Sequence, residues 1–163
     1  MLGKLKHMGA ISEAHLALQS VCEMLLQHGE KHPGLCKMPR IWLNDLLVRL
    51  TSDQQSFVLR RSAGFAFSYL SILRAEPRNC IPTLLPAAMD ALLRTARGGL
   101  RCTDAILSNS WRTCVHALNI LKFVLLDAAL ASDVAPYIAE ATKIAVLGFQ
   151  DPNWAVRNSS MMV

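Results

Sequence analysis

Two stretches, Phe57-Val58-Leu59-Arg60-Arg61-Ser62-Ala63 and Trp154-Ala155-Val156-Arg157-Asn158-Ser159-Ser160, share one pattern: aromatic, any residue, aliphatic, arginine, any residue, serine, small. Each follows an acidic residue placed to open a helix, Asp53 in the first case and Asp151, with Pro152 behind it, in the second. The residue types explain one another. An Asp at a helix start accepts from backbone N–H groups that lack a partner, and a Pro in the first turn needs no N–H partner of its own. The aliphatic residue is expected to face a core, and the small residue lets a neighbouring helix approach closely.

Working outward, three- and four-residue apolar spacing dominates and no alternating strand pattern stands out. A first helix is expected from about Leu5 to His28, with the stripe Leu5, Met8, Ile11, His15, Leu18, Cys22 and Leu25, ended by Gly29. Pro39 opens a second helix to about Leu50, and Ser52 with Gln55 has capping-box spacing before a third that stops near Ala75, ahead of Pro77. A fourth is expected from near Pro82 to Arg97, with Gly98-Gly99 and a polar loop beyond it. Ser110 caps a fifth, Trp111 to Leu126. A sixth starts around Asp133 and Pro136 and ends near Gly148, and Asp151-Pro152 opens a seventh.

The run Asp151-Pro152-Asn153-Trp154-Ala155-Val156-Arg157 resembles the second-helix signature of HEAT repeats, and Trp154 lies 97 residues after Phe57, close to two repeats of roughly 40–47 residues. The expectation is an all-α, HEAT/armadillo-like helical-repeat superhelix. Residues 1–163 form a single segment of it. The apolar pattern from Trp154 to Val163 stops without a cap, which points to a truncated piece of a longer solenoid. In such arrays the arginine of the signature commonly pairs with an acid of the adjacent repeat, and that role competes with ligand binding for Arg60 and Arg157.

Composition narrows the function classes. Apolar residues make up 52% and charged residues 18%, against roughly 45–50% and 25% in typical domains. No run approaches the length of a membrane-spanning helix, because Lys122 and Asp127 interrupt the most apolar stretch. No secretory h-region opens the chain, and five widely spaced cysteines (22, 36, 80, 102 and 114) suit a reducing compartment. Between positions 60 and 112 eight arginines face three acids, so this third carries the whole net charge of +5. Arginine's planar fork suits phosphate, although solvated helix faces account for such a run equally well.

Catalytic constellations are not apparent. There is no phosphate-binding glycine loop, no HExxH and no nucleophile elbow, since Arg61-Ser62-Ala63-Gly64 has no strand before it. His28, His32 and Cys36 have ligand-like types, but Gly29, Pro33 and Gly34 break the helix that would align them, and a closed zinc site needs a fourth ligand. No metal is expected. His15 and His116 are expected on helix faces, bonded to nearby backbone. Trp42, Trp111 and Trp154 are expected as packing anchors rather than base-stacking platforms. Arg61, about 100° around the helix from Arg60, points elsewhere and is a candidate for phosphate contact.

Three runs in order, Arg60-Arg61-Ser62-Ala63-Gly64, His116-Ala117-Leu118-Asn119-Ile120-Leu121 and Trp154 to Ser160, resemble the thyroid adenoma-associated protein family across nearly the whole chain. Many relatives have proline where this chain has Ala66. The resemblance implies a large cytoplasmic helical-repeat scaffold and regulatory subunit, without catalysis of its own. It implies as partner a separate tRNA 2′-O-ribose methyltransferase, which alone carries S-adenosylmethionine, and as target the first nucleotide of the tRNA anticodon loop. Neither DNA nor a membrane is implied. It places functional weight on Arg60 and Arg61. A generic HEAT-repeat protein–protein interaction scaffold or adaptor, with arginines serving only inter-repeat pairs, is the competing reading. Salt-sensitive binding that competes with tRNA separates the two.

Overall fold

The computed structural model describes residues 7–28, 32–51, 63–100 and 110–163. Among these the regular structure is helical: α1 (Met8–Gln27), α2 (Met38–Thr51), α3 (Ala63–Arg74), α4 (Leu84–Leu100), α5 (Ser110–Leu125), α6 (Ala131–Val134), a 3₁₀ turn (Ala135–Tyr137), α7 (Ile138–Gly148) and α8 (Trp154–Ser160). Three expectations need correction. The sixth helix is divided, because Pro136 lacks the N–H to continue the ladder of α6, and a 3₁₀ turn bridges to α7. The fourth helix does not stop at Arg97 but runs through both glycines to Leu100. The cap of α8 is Asn153, whose Oδ1 accepts from Ala155 N at 2.9 Å, while Asp151 Oδ1 fixes the preceding turn by accepting from Asn153 N at 2.8 Å. The Ser52–Gln55 capping box lies outside the described residues.

The helices pack in two rows. Along one, α2 contacts α4 and α4 contacts α7; along the other, α1 contacts α3, α3 contacts α5, and α5 contacts α8. The pairs α2–α3, α4–α5 and α7–α8 join the rows. Directions within a row follow from paired contacts. Phe67 meets Phe123 at 5.6 Å and Arg74 meets Asp127, so α3 and α5 run parallel. Leu47, Val48 and Thr51 of α2 flank Ala91, Arg94 and Thr95 of α4 in one hollow.

Position in the rows explains the residue types. From Gly64 to Leu73, α3 has no exposed residue, and its sequence is accordingly almost all apolar or small. In α4 the residues Leu84, Leu85, Ala88, Met89, Leu92, Leu93 and Ala96 are buried at three- and four-residue steps, leaving Asp90, Arg94 and Arg97 to solvent. Burying a leucine of this kind contributes about 1.5–3 kcal/mol. Two glycines set how closely the rows approach. A Cβ on Gly99 would lie 2.5 Å from Cys114 Cβ and 3.0 Å from the Ser110 carbonyl. One on Gly148 would overlap Ser160 Oγ, so the small residue at the end of the sequence pattern has the role expected of it.

A buried polar network ties α1 and α3 to the turn after α5. His15, expected to bond nearby backbone, instead reaches across 56 residues to Ser71 Oγ at 2.6 Å. Its Nε2 faces Arg74 Nη1 at 3.5 Å. Because a guanidinium only donates, Nε2 must accept, which leaves the proton on Nδ1 to be given to Ser71. Ser71 Oγ in turn donates to the Phe67 carbonyl at 2.8 Å. Arg74 Nε donates to Asp127 Oδ2 at 2.9 Å, its Nη2 bonds the same oxygen, and Asp127 Oδ1 accepts from Ala129 N at 3.0 Å. Burial, then the Arg74 charge, pushes the His15 pKa below the usual imidazole value.

Candidate nucleic-acid interface

The helices α4 and α7 end, and α5 and α8 begin, along one edge of the stack. Gly99 against Cys114 fixes this for α4 and α5. Asp151 lies close enough to Cys114 to help burial raise its thiol to about 12, and Lys122 Nζ meets Met162 Sδ at 3.4 Å, so α5 and α8 run parallel. The approach of Leu100 to Gly148 brings the C-terminal ends of α4 and α7 together, while the Arg97 side chain pairs with Glu140 in the first turn of α7.

Several described arginines stand in the second halves of α2 and α4 and in the first turns of α5 and α8. Arg49 closes the last turn of α2 and pairs with Asp45 at 2.8 Å. Arg94 and Arg97 lie one turn apart on α4, a spacing that sends both to the same outer face; Arg94 Nε bonds its own Asp90 carbonyl at 3.1 Å. Arg112, exposed in the first turn of α5, lies 5.2 Å from the Trp111 ring, a cation–π distance. Arg157 is also exposed, and its Nη1 donates to the carbonyls of Asp151 at 2.8 Å and Pro152 at 3.0 Å. The pairing expected of Arg157, with an acid of an adjacent repeat, is therefore not the one found. A hollow of about 620 Å³ opens on this edge between α4 and α7, with Leu100, Ile144, Leu147 and Pro152 as its apolar wall and Arg97, Lys143, Glu140, Asp151 and Gln150 as its polar lining.

Of the three arginines singled out in the sequence, Arg157 stands on this edge, while Arg60 and Arg61 lie outside the described residues. Both belong to the segment that links α2 to α3, and Arg101 to the segment that links α4 to α5. Sequence reasoning did not single out Arg97 and Arg112, whose place relative to α8 depends on how the helices pack. Trp42 and Trp111 pack against the core, whereas Trp154 is 69% exposed within this chain.

Elsewhere the chemistry is quiet. Cys22 and Cys114 are fully buried, with burial pushing the Cys22 thiol up to about 11, so neither is a reactive thiolate. His28 Nδ1 bonds the Met24 carbonyl at 2.9 Å and Cys36 Sγ the Pro33 carbonyl at 3.2 Å. Among the described residues no group of three or more His, Cys, Asp or Glu side chains could hold a metal ion, and no helix is long and apolar enough to cross a membrane.

The family model described as THADA/TRM732, DUF2428 matches residues 1–155. The chain belongs to this family. Among curated relatives, the tRNA (32-2′-O)-methyltransferase regulator THADA of Homo sapiens is 35% identical over 161 residues, and that of Gallus gallus 34% identical over 161 residues. Each alignment covers 97% of this chain and 8% of the relative. The Schizosaccharomyces pombe regulator trm732 is 26% identical over 162 residues, 99% of this chain and 10% of its own length. The chain thus spans a tenth or less of these family members, and all three are named as regulators of a methyltransferase, not as the enzyme. No solved structure matches the chain.

Proposed function

We propose that this chain is a non-catalytic scaffold segment that supports 2′-O-methylation of the first nucleotide of the tRNA anticodon loop by a partner methyltransferase. The observation that carries the reading is the family membership, joined to an edge on which Arg97, Arg112 and Arg157 are held at the helix ends. In this reading residues 1–163 act as one segment of a HEAT/armadillo-like solenoid, which the packing of the described helices in two rows supports. Arg60 and Arg61, which lie outside the described residues, are proposed as further RNA or partner contacts. The partner enzyme alone binds S-adenosylmethionine, and the complex works in the cytoplasm.

The mechanism is positional. Arginines along the edge neutralise phosphates of the anticodon stem and loop, releasing counterions and fixing the RNA against a rigid wall. Holding one ribose 2′-OH beside the partner's site replaces a bimolecular encounter by an oriented one. RNA loops are recognised by shape, stacking and 2′-OH contacts, which a helical wall can offer without a sequence code. In the competing reading, a protein-only adaptor, Arg49 and Arg97 serve structure alone, and their ion pairs with Asp45 and Glu140 favour it.

The test is co-purification of the tagged chain with tRNA and the methyltransferase, followed by Arg61→Ala. The expected result is tRNA in the eluate, lost with rising salt, and methylation reduced in the variant with helicity and melting unchanged. Methylation and tRNA capture both unaffected by Arg61→Ala would remove that residue from the interface. A salt-insensitive protein partner with no RNA would favour the adaptor.

A further inference from the structure

We infer that His15, Ser71, Arg74 and Asp127 form a proton-operated latch: adding a proton to His15 releases α1 from α3 while the later helices stay packed. The inference is independent of what the arginines of the other edge bind. His15 is 4% exposed and is already satisfied as a neutral ring. Its Nδ1–H is given to Ser71 Oγ at 2.6 Å. The Ser71 hydroxyl proton is directed to carbonyls, that of Phe67 at 2.8 Å and that of His15 itself at 3.1 Å. The remaining lone pair, on Nε2, faces Arg74 Nη1 at 3.5 Å. A second ring proton would point at that guanidinium, which carries only donors. Two cations would then meet inside the fold without an acceptor between them, an arrangement far more costly than the same pair in water.

Anchoring decides which side gives way. Arg74 holds Asp127 Oδ2 with two donors, Nε at 2.9 Å and Nη2, and Asp127 Oδ1 accepts from Ala129 N at 3.0 Å. The guanidinium thus belongs to the contact between α3 and the turn after α5, and both carboxylate oxygens are engaged. The side-chain bonds of His15 run to α3, so the charge is relieved by α1 moving off α3. The other described charges nearby do not replace these contacts. On α1, Glu13 is exposed and Glu23 accepts from Gln19 at 2.8 Å. On α2, which also packs against α1, Arg40, Asp45 and Arg49 are exposed, and Asp45 pairs with Arg49. Asp127 attracts the added proton, but burial and Arg74 outweigh it and hold the docked ring neutral. Opening restores an ordinary imidazole, with a pKa of about 6.5. The open fraction therefore rises as pH falls below that value, by about tenfold per unit, until the docked ring itself takes up a proton.

Two cysteines report the two parts of the stack. Cys22 lies two turns beyond His15 on α1 and is fully buried. Cys114 is fully buried on α5 against α4, its Sγ bonded to the Ala96 carbonyl at 3.3 Å. Cys80 is exposed and corrects for the pH dependence of the reagent. The experiment labels the full chain in brief pulses with a dipyridyl disulfide from about pH 7.5 to about pH 5, with each cysteine read by peptide mass and helicity followed in parallel. Cys22 labelling relative to Cys80 should rise by about tenfold per pH unit below about 6.5, while Cys114 stays protected. His15→Gln, which keeps the site neutral, should abolish the rise. His116→Gln, at the other imidazole that burial lowers, should leave it in place. A flat Cys22 signal in the unaltered chain would overturn the latch. So would Cys22 and Cys114 rising together, the signature of whole-chain unfolding, or a rise that persists in His15→Gln.

Discussion

The two edges of this stack use arginine in opposite ways. At the edge where α3 and α5 end, Arg74 is locked against a buried Asp127, His15 is bonded through Ser71, and Arg78 Nη2 donates to the Ala129 carbonyl at 2.9 Å. Even the acid there is structural: Glu76 caps α4 by accepting from Leu84 N at 2.9 Å. At the opposite edge Arg112 and Arg157 are exposed and engage a ring and backbone carbonyls, and the ion pairs of Arg49 and Arg97 are reached by solvent. Buried partners commit a charge to folding, whereas solvated ones leave it available to a ligand. The sequence shows the same residue type at both edges.

The comparison breaks most sharply at Asp127. Replacing it by Ala strands Arg74 beside His15, and the expected cost is about 3 kcal/mol, read as a fall in the urea midpoint at unchanged slope. A loss below about 1 kcal/mol would place the pair in the solvated class. Gly99→Ala comes next. Its methyl would press into Cys114 and the Ser110 carbonyl, so about 2 kcal/mol of stability should be lost, whereas Gly9→Ala, which meets nothing, should be near neutral.

Acidification sharpens the same contrast. His15 and His116 both have pKa values lowered in the fold, the first by burial and Arg74 and the second by burial. The unfolded chain therefore binds more protons than the folded one below its ordinary imidazole pKa of about 6.5. Stability should be level above that pH and fall as pH drops below it. Thermal melts of His15→Gln should show a shallower decline, and an unchanged decline would remove His15 from the account. The smallest effect on stability is expected at the other edge. Arg112→Ala should shift it by less than about 0.5 kcal/mol, while RNA binding weakens.

Much of the fold was legible because the residues involved report locally. Proline, glycine and the apolar steps mark the starts, ends and inner faces of α1, α2, α4 and α5 to within a few residues. The small residue after Arg157, Ser160, indeed receives the neighbouring row at Gly148. What sequence could not give were contacts between distant residues of ambiguous type. His15 sits on an apolar stripe, and nothing nearby announces Ser71 or Arg74. Asp151 looked like the cap because Asp-Pro is a strong start signal, but Asn153, two residues on, has the side chain that reaches the first free N–H. Of the candidate site, Arg157 was readable from its repeat pattern. Arg97 and Arg112 were visible only as members of a basic stretch, because helix packing, not spacing along the chain, sets where they stand relative to α8.

The most direct measurement is the salt dependence of anticodon stem-loop binding by the unaltered chain and by the Arg112→Ala, Arg157→Ala double variant. The account predicts affinity that falls steeply with salt, and a slope of log affinity against log salt reduced by about two in the double variant, one per lost phosphate contact. Binding with the same slope in both proteins would show that this edge does not meet the RNA backbone.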